Sequence, residues 1–397
     1  MIIDKTPLPE DPTPSEAPPA FQQLFLRPVI RVRQWLKRVL SISVVFHHSD
    51  SPLPSSSSAK GKGRAQWFQF GSKTSKDVKS TTLGLVRDLV REEFQSPAAF
   101  AILQSCAEAC TSHGLSFSSI LQEKSIEGHT PLYWAIVKRR PDETQDADAN
   151  VQDLLTALLS HSAPLTQSTM SDVRHACLVT SDQPLFQRLR QSPDFGAGSA
   201  VDELLIGVTL PPDDVEVVNF PDDEGSFAVN IGIMKFQKRM MIAKNITIEF
   251  IARTTKTQLP SFFTGRMWKL AFFVVPENGD ARSGRRPGSW CVSLSLMEHS
   301  PPTWVDSRVL IADPYQPATT KSKPKPTISM RLKSPRPLTA PPYRGADGVT
   351  EVMVTFEDNL MASSLQYSQS SYILPDEKLR ARFEARLSKQ ETECIIC

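Results

Sequence analysis

The sequence predicts a multidomain α+β protein, a short helical repeat array followed by an antiparallel β-sandwich, behind a disordered N-terminal region. Three observations carry this. Helical periodicity runs intermittently from about residue 82 to 190. After Gly196-Ala197-Gly198-Ser199 the texture changes to short period-two runs separated by turns. The 32 prolines outnumber the 17 glycines, as in chains whose folded units are joined by long irregular stretches. At 397 residues, 40% of them hydrophobic, the chain is long for a single core.

In chain order, residues 1–20 are proline-rich and acidic, with little to bury, and are expected to be disordered. Residues 21–48 contain no acid. Started after Pro28, a helical wheel gathers Val29, Val32, Trp35, Leu36, Val39 and Leu40 within roughly 140°, with Arg31, Arg33, Lys37 and Arg38 on the other side. Such a basic amphipathic helix suits an anionic membrane surface, with Arg31, Trp35, Lys37 and Arg38 as its contacts. It suits equally a partner's groove or this protein's own domains. Residues 49–80, rich in Ser, Lys and Gly, read as a flexible linker. Their one apolar knot, Trp67, Phe68 and Phe70, is either a docking peptide or a tether to the adjoining domain.

In the helical stretch, residues 82–195, Leu85, Leu89 and Phe94 share a face. The β domain, 200–374, rests on alternation at Ile246/Ile248/Phe250, Trp268/Leu270/Phe272, Val292/Leu294/Leu296 and Val352/Val354/Phe356. A Pro- and Lys-rich stretch, 314–343, is expected to be a long loop. Leu379, Phe383 and Leu387 at i, i+4, i+8 predict a C-terminal helix over 375–390, ahead of a tail to 397.

The most specific string is Gly128-His129-Thr130-Pro131-Leu132-Tyr133-Trp134-Ala135. Thr130 is suited to cap a helix and Pro131 to occupy its first position, where no amide hydrogen is needed. The string resembles the ankyrin repeat signature, Gly-x-Thr-Pro-Leu-His-x-Ala, with Tyr133 where the family usually has His. Such units recur at about 33 residues. Weaker echoes stand at Ser96-Pro97-Ala98-Ala99-Phe100-Ala101 and at Ser171-Asp172-Val173-Arg174-His175-Ala176, and Leu154 to Leu165 resembles a second helix with its exit. The resemblance implies a stack in which Leu132 and Ala135 face the neighbouring unit, and whose work is binding other proteins. A generic helical bundle is the alternative. Tyr133 and Trp134 are candidate partner contacts, against the alternative that they are core. In the β half, Gly265 to Leu270, Pro276-Glu277-Asn278-Gly279-Asp280, Val292 to Leu296 and Trp304 follow an order that faintly resembles the meprin and TRAF homology sandwich.

No reaction centre emerges. Cys106, Cys110 and His113 form half a metal site at most; Cys177 and His175 are too close along a helix to face each other; Gly196-Ala197-Gly198 lacks the rest of a nucleotide fingerprint. The acids between Asp213 and Glu224 read as a solvated edge. The expectation is therefore no enzyme, no metal, no cofactor and no small-molecule substrate. A net charge of +2 disfavours a uniformly basic nucleic-acid binder. The six scattered cysteines point to a reducing, cytoplasmic setting, and the acidic, proline-rich start does not read as a secretory leader. Cys394-Ile395-Ile396-Cys397 matches a prenylation box with Cys394 as the modified residue. Together with the basic helix it makes a peripherally membrane-associated regulator, whose β domain binds peptide or lipid, the alternative to an adaptor that binds proteins.

Overall fold

The computed structural model describes residues 67–91, 97–139, 154–192, 195, 207, 210–220, 225–253, 265–277, 285–312, 325–342, 348–367 and 370–388. The N-terminal segments predicted at 1–20 and 21–48, and the tail from 389, lie outside them. From Thr74 onward the chain forms one compact unit. It contains both helices and antiparallel sheets.

Among the described residues, seven helices come first: α1 (Trp67–Arg91), α2 (Pro97–Ser112), α3 (Phe117–Leu121), α4 (Pro131–Val137), α5 (Leu154–Ser162), α6 (Gln167–Thr180) and α7 (Gln183–Gln191). Four start on a capping side chain. Ser116, Thr130, Thr166 and Asp182 each accept a hydrogen bond from the amide three residues on, which satisfies one otherwise orphaned donor. In the packing, α4 lies against α6 and α3 against α5, while each of α2, α4 and α6 also touches the helix that follows it. The shared core includes Leu103, Leu121, Leu132, Ile136, Leu158, Val173 and Phe186.

The expected linker is corrected at its C-terminal end, because α1 begins at Trp67. Its second half earns its order from tertiary contacts: Val86, Leu89 and Val90 are buried, Thr82 meets Cys110, and Lys79 pairs with Glu123 at 2.5 Å.

Among the described residues nine strands follow: β1 (Asp214–Asn219), β2 (Ser226–Ile233), β3 (Asn245–Arg253), β4 (Gly265–Val274), β5 (Trp290–Leu296), β6 (Trp304–Ile311), β7 (Ile328–Lys333), β8 (Glu351–Thr355) and β9 (Leu379–Ser388), with helix α8 (Phe236–Ile242) between β2 and β3. They form two antiparallel sheets, one ordered β1-β2-β9-β6-β7 and the other β3-β4-β5-β8. Inward residues of both sheets enter one core, where Phe227, Phe250, Trp268 and Phe383 lie with ring centroids 5.7–6.2 Å apart.

Two expectations are overturned here. Residues 379–388 are the central strand β9 of the five-stranded sheet, not a helix, paired with β2 on one side and β6 on the other. Leu379, Ala381, Phe383 and Ala385 are buried while charged residues alternate between them, and period two completes the pattern that i+4 spacing only sampled. Within the predicted loop 314–343, Ile328, Met330 and Leu332 are buried at period two and form the edge strand β7, which tolerates prolines on its flanks.

The helical and β halves share a seam along β3, the edge of the four-stranded sheet. Helix α7 covers that edge with side chains. Arg190 donates to the carbonyls of Glu249 (3.2 Å) and Thr247 (3.3 Å), Gln187 donates to Glu249 O (2.8 Å), and Gln183 Oε1 accepts from Ile251 N (2.7 Å). Arg253 reaches back to Thr180 O at 2.9 Å, and Ile251 and Met267 belong to the helices' core. Three outward-facing backbone groups of the edge strand, the carbonyls of Thr247 and Glu249 and the amide of Ile251, are thereby satisfied from the other half of the molecule.

Candidate functional site

The string Gly128 to Ala135 lies in the helical half, and its geometry starts from a tight turn. Ile126 and His129 bridge each other through their backbones, while Glu127 (φ +51°) and Gly128 (φ +80°) both take left-handed conformations between them. A two-residue turn with positive φ at both positions explains the glycine. Thr130 follows, fully buried, with φ −76° and ψ 158°. Its Oγ1 accepts from Tyr133 N at 3.3 Å, and Pro131 fills the first helical position.

What locks this corner comes from α6. Asp172, buried, accepts Thr130 N and Thr130 Oγ1 on Oδ2, both at 2.7 Å, and His129 Nδ1 on Oδ1 at 2.6 Å. A carboxylate has only acceptor sites, so the contact assigns the proton to His129 Nδ1. Lys124 Nζ stands 4.0 Å away. One side chain thus fastens the start of α4 to the second turn of α6. A parallel clamp ties the preceding helix to the next turn: Gln122 donates to Ser162 O (2.7 Å) and Pro164 O (3.0 Å) and accepts from Thr166 N (2.7 Å).

Rings continue outward from Asp172. His129 stacks on Tyr133 with centroids 3.7 Å apart and 12° between planes; His175 lies 5.6 Å from His129; His299, from the turn between β5 and β6, stacks on His175 at 4.3 Å and 17°. Ser171 Oγ donates to Glu298 at 2.5 Å and lies 3.3 Å from His299 Nε2. Burial, then the neighbouring imidazoles of His299 and His129, push the His175 pKa down to about 4. Burial and the Asp172 charge push the Tyr133 phenol up.

The polar groups of this corner are held by other protein groups. In a proton relay the imidazole stands between hydroxyl and carboxylate. Here the hydroxyl of Ser171 stands between Glu298 and His299, and both oxygens of Asp172 already hold protein donors. Among the described residues no group of three or more His, Cys, Asp or Glu is placed to hold a metal ion.

The string residues are placed as follows. Leu132 is fully buried and Ala135 half-buried, both against the helical core. Tyr133, a candidate contact, is 7% exposed with its ring under His129, so it packs instead of presenting itself. Trp134 is half-buried, its indole N–H donating to Ile126 O at 2.9 Å. The echo at Ser171 is out of register. Helix α6 starts at Gln167 behind Thr166, which puts Ser171 inside the helix. Cys106, Cys110 and Cys177 are buried, with Cys106 pushed up to about 12 by burial and by Cys110. Arg31, Trp35, Lys37, Arg38 and Cys394 lie outside the described residues. Sequence reasoning missed His129, Asp172 and His299; the first two stand inside strings it had singled out.

A concavity lies on the outer face of the four-stranded sheet, an open trough of ≈ 630 Å³ walled by Lys244, Lys269, Glu277 and Glu351. The register explains its charge pattern. Lys269 lies between Glu249 and Ser295, and Ser295 is opposite Glu351, while Ala271 and Ser293 leave a low floor.

No helix of the described residues is long and apolar enough to cross a membrane. In comparisons with known proteins, no family model and no curated sequence matches the chain.

Proposed function

We propose that the protein is a non-enzymatic adaptor that binds other proteins through a short, degenerate ankyrin-type array in its helical half, joined to a β-sandwich. The observation that carries this is the Asp172 clamp on His129 and Thr130, with the Gln122 clamp beside it. Polar side chains join one helix pair to the next, and like-placed helices lie side by side, as stacking repeats require. The candidate surface for a partner includes Phe100, 43% exposed on α2, with Gln104 one turn further on. The intact chain, affinity-purified from a eukaryotic cell, is expected to carry specific proteins. Phe100→Glu with Gln104→Arg should release them, and Leu360→Glu on the β half should not. Absence of any specific protein, or equal loss from both variants, would refute the reading.

The trough favours a second reading, in which the β half binds an extended peptide of mixed charge. Under it, Lys269→Glu abolishes partner capture while the Phe100 variant retains it.

A further inference from the structure

Around His175, several elements contribute titratable or charged groups. Lys124 and His129 come from the segment before α4, Tyr133 from α4, Asp172 from α6 itself, and Glu298 and His299 from the β5–β6 turn. Across the seam, that turn meets α6 through the His175–His299 stack and through Ser171, whose hydroxyl touches both Glu298 and His299. His299 holds φ +68°, in the left-handed region that few non-glycine residues adopt.

We propose that the His175–His299 stack is a proton-sensitive latch, holding the β5–β6 turn on helix α6 near neutral pH and releasing it on acidification. The charge arithmetic is local. His299 is exposed and stands beside the Glu298 carboxylate. A proton on His175 has no such partner, because Asp172 is occupied by Thr130 and His129 and Lys124 adds a like charge. The His299 ring 4.3 Å away and the His129 ring at 5.6 Å both disfavour that proton, and opening the turn separates His175 from His299.

Hydrogen–deuterium exchange of the intact chain, corrected for intrinsic exchange at each pH, tests this. Protection of residues 297–303 should fall as pH drops from 6 to 4.5, by up to about tenfold per unit if one proton drives opening. Protection of β9 should hold. His299→Asn removes the stacked ring but tolerates the left-handed backbone. It should weaken protection at neutral pH and flatten the profile. His175→Gln should also flatten it, and serves if the first variant does not fold. A pH-independent turn in the unaltered protein, an unchanged slope in a folded variant, or parallel loss from β9 would each overturn the latch.

Discussion

The two halves of this molecule reach order by different means. In the helical half, α3, α4, α5 and α7 have five to nine residues, lengths at which an isolated helix is unstable in water. They persist because side chains cap the starts of α3, α4 and α7 and because Gln122 and Asp172 fasten successive turns together. The β half uses continuous ladders instead, with β9 paired along both sides to strands roughly 150 and 80 positions earlier in the chain. Its interior is filled by aromatic rings, Trp268 and Phe383 among them, with no exposed surface. Damage should therefore spread differently. A lost ring in the β half costs packing in proportion to its volume, whereas a lost polar clamp in the helical half strands several partners at once.

Measurements on substituted proteins can break that contrast. Phe383→Ala removes a fully buried ring between Phe227 and Phe250, and urea unfolding should register a loss of about 3–5 kcal/mol. Asp172→Ala leaves buried Thr130 N and the His129 ring unpaired and should cost about 2–3 kcal/mol; a loss below about 0.5 kcal/mol would mean the clamp is ornamental. Thr130→Ala removes the cap and one bond, at about 1–2 kcal/mol. Combined with Asp172→Ala it should be markedly non-additive, because the two residues share one interaction. Acid supplies a gentler probe. His175 binds its proton less readily folded than unfolded, so its contribution is complete above about pH 6.5 and is lost as pH falls toward 4. Thermal midpoints should decline over that window, and less steeply in His175→Gln. At the small end, Leu360 is 89% exposed, and Leu360→Ser should move stability by no more than about 0.5 kcal/mol.

How far each region could be read from sequence follows from the same contrast. Thr130 and Pro131 announce a helix start through chemistry confined to four residues, and the structure places the start there. The runs through Ile246, Trp268, Val292 and Val352 announce strands because alternation needs no knowledge of the partner. Leu379, Phe383 and Leu387 announce nothing unique, since a spacing of four belongs to both periodicities. Ala381 and Ala385, small and easily passed over, complete the strand, and β2 and β6 decide it. Ile328, Met330 and Leu332 were hidden by their proline-rich setting. Asp172 was hidden for a different reason: a buried carboxylate is recognisable only once its donors, 42 and 43 positions earlier, are known.

The arginine and glutamines of α7 that occupy the margin of β3 have a practical consequence. Cutting the chain near residue 196, where its texture changes, would yield a C-terminal fragment with a bare strand rim of unsatisfied carbonyls and amides. Such a fragment should recruit copies of itself along that rim and come out of solution. The helices are, in effect, the sheet's own chaperone, and the two halves are best kept and handled as one piece.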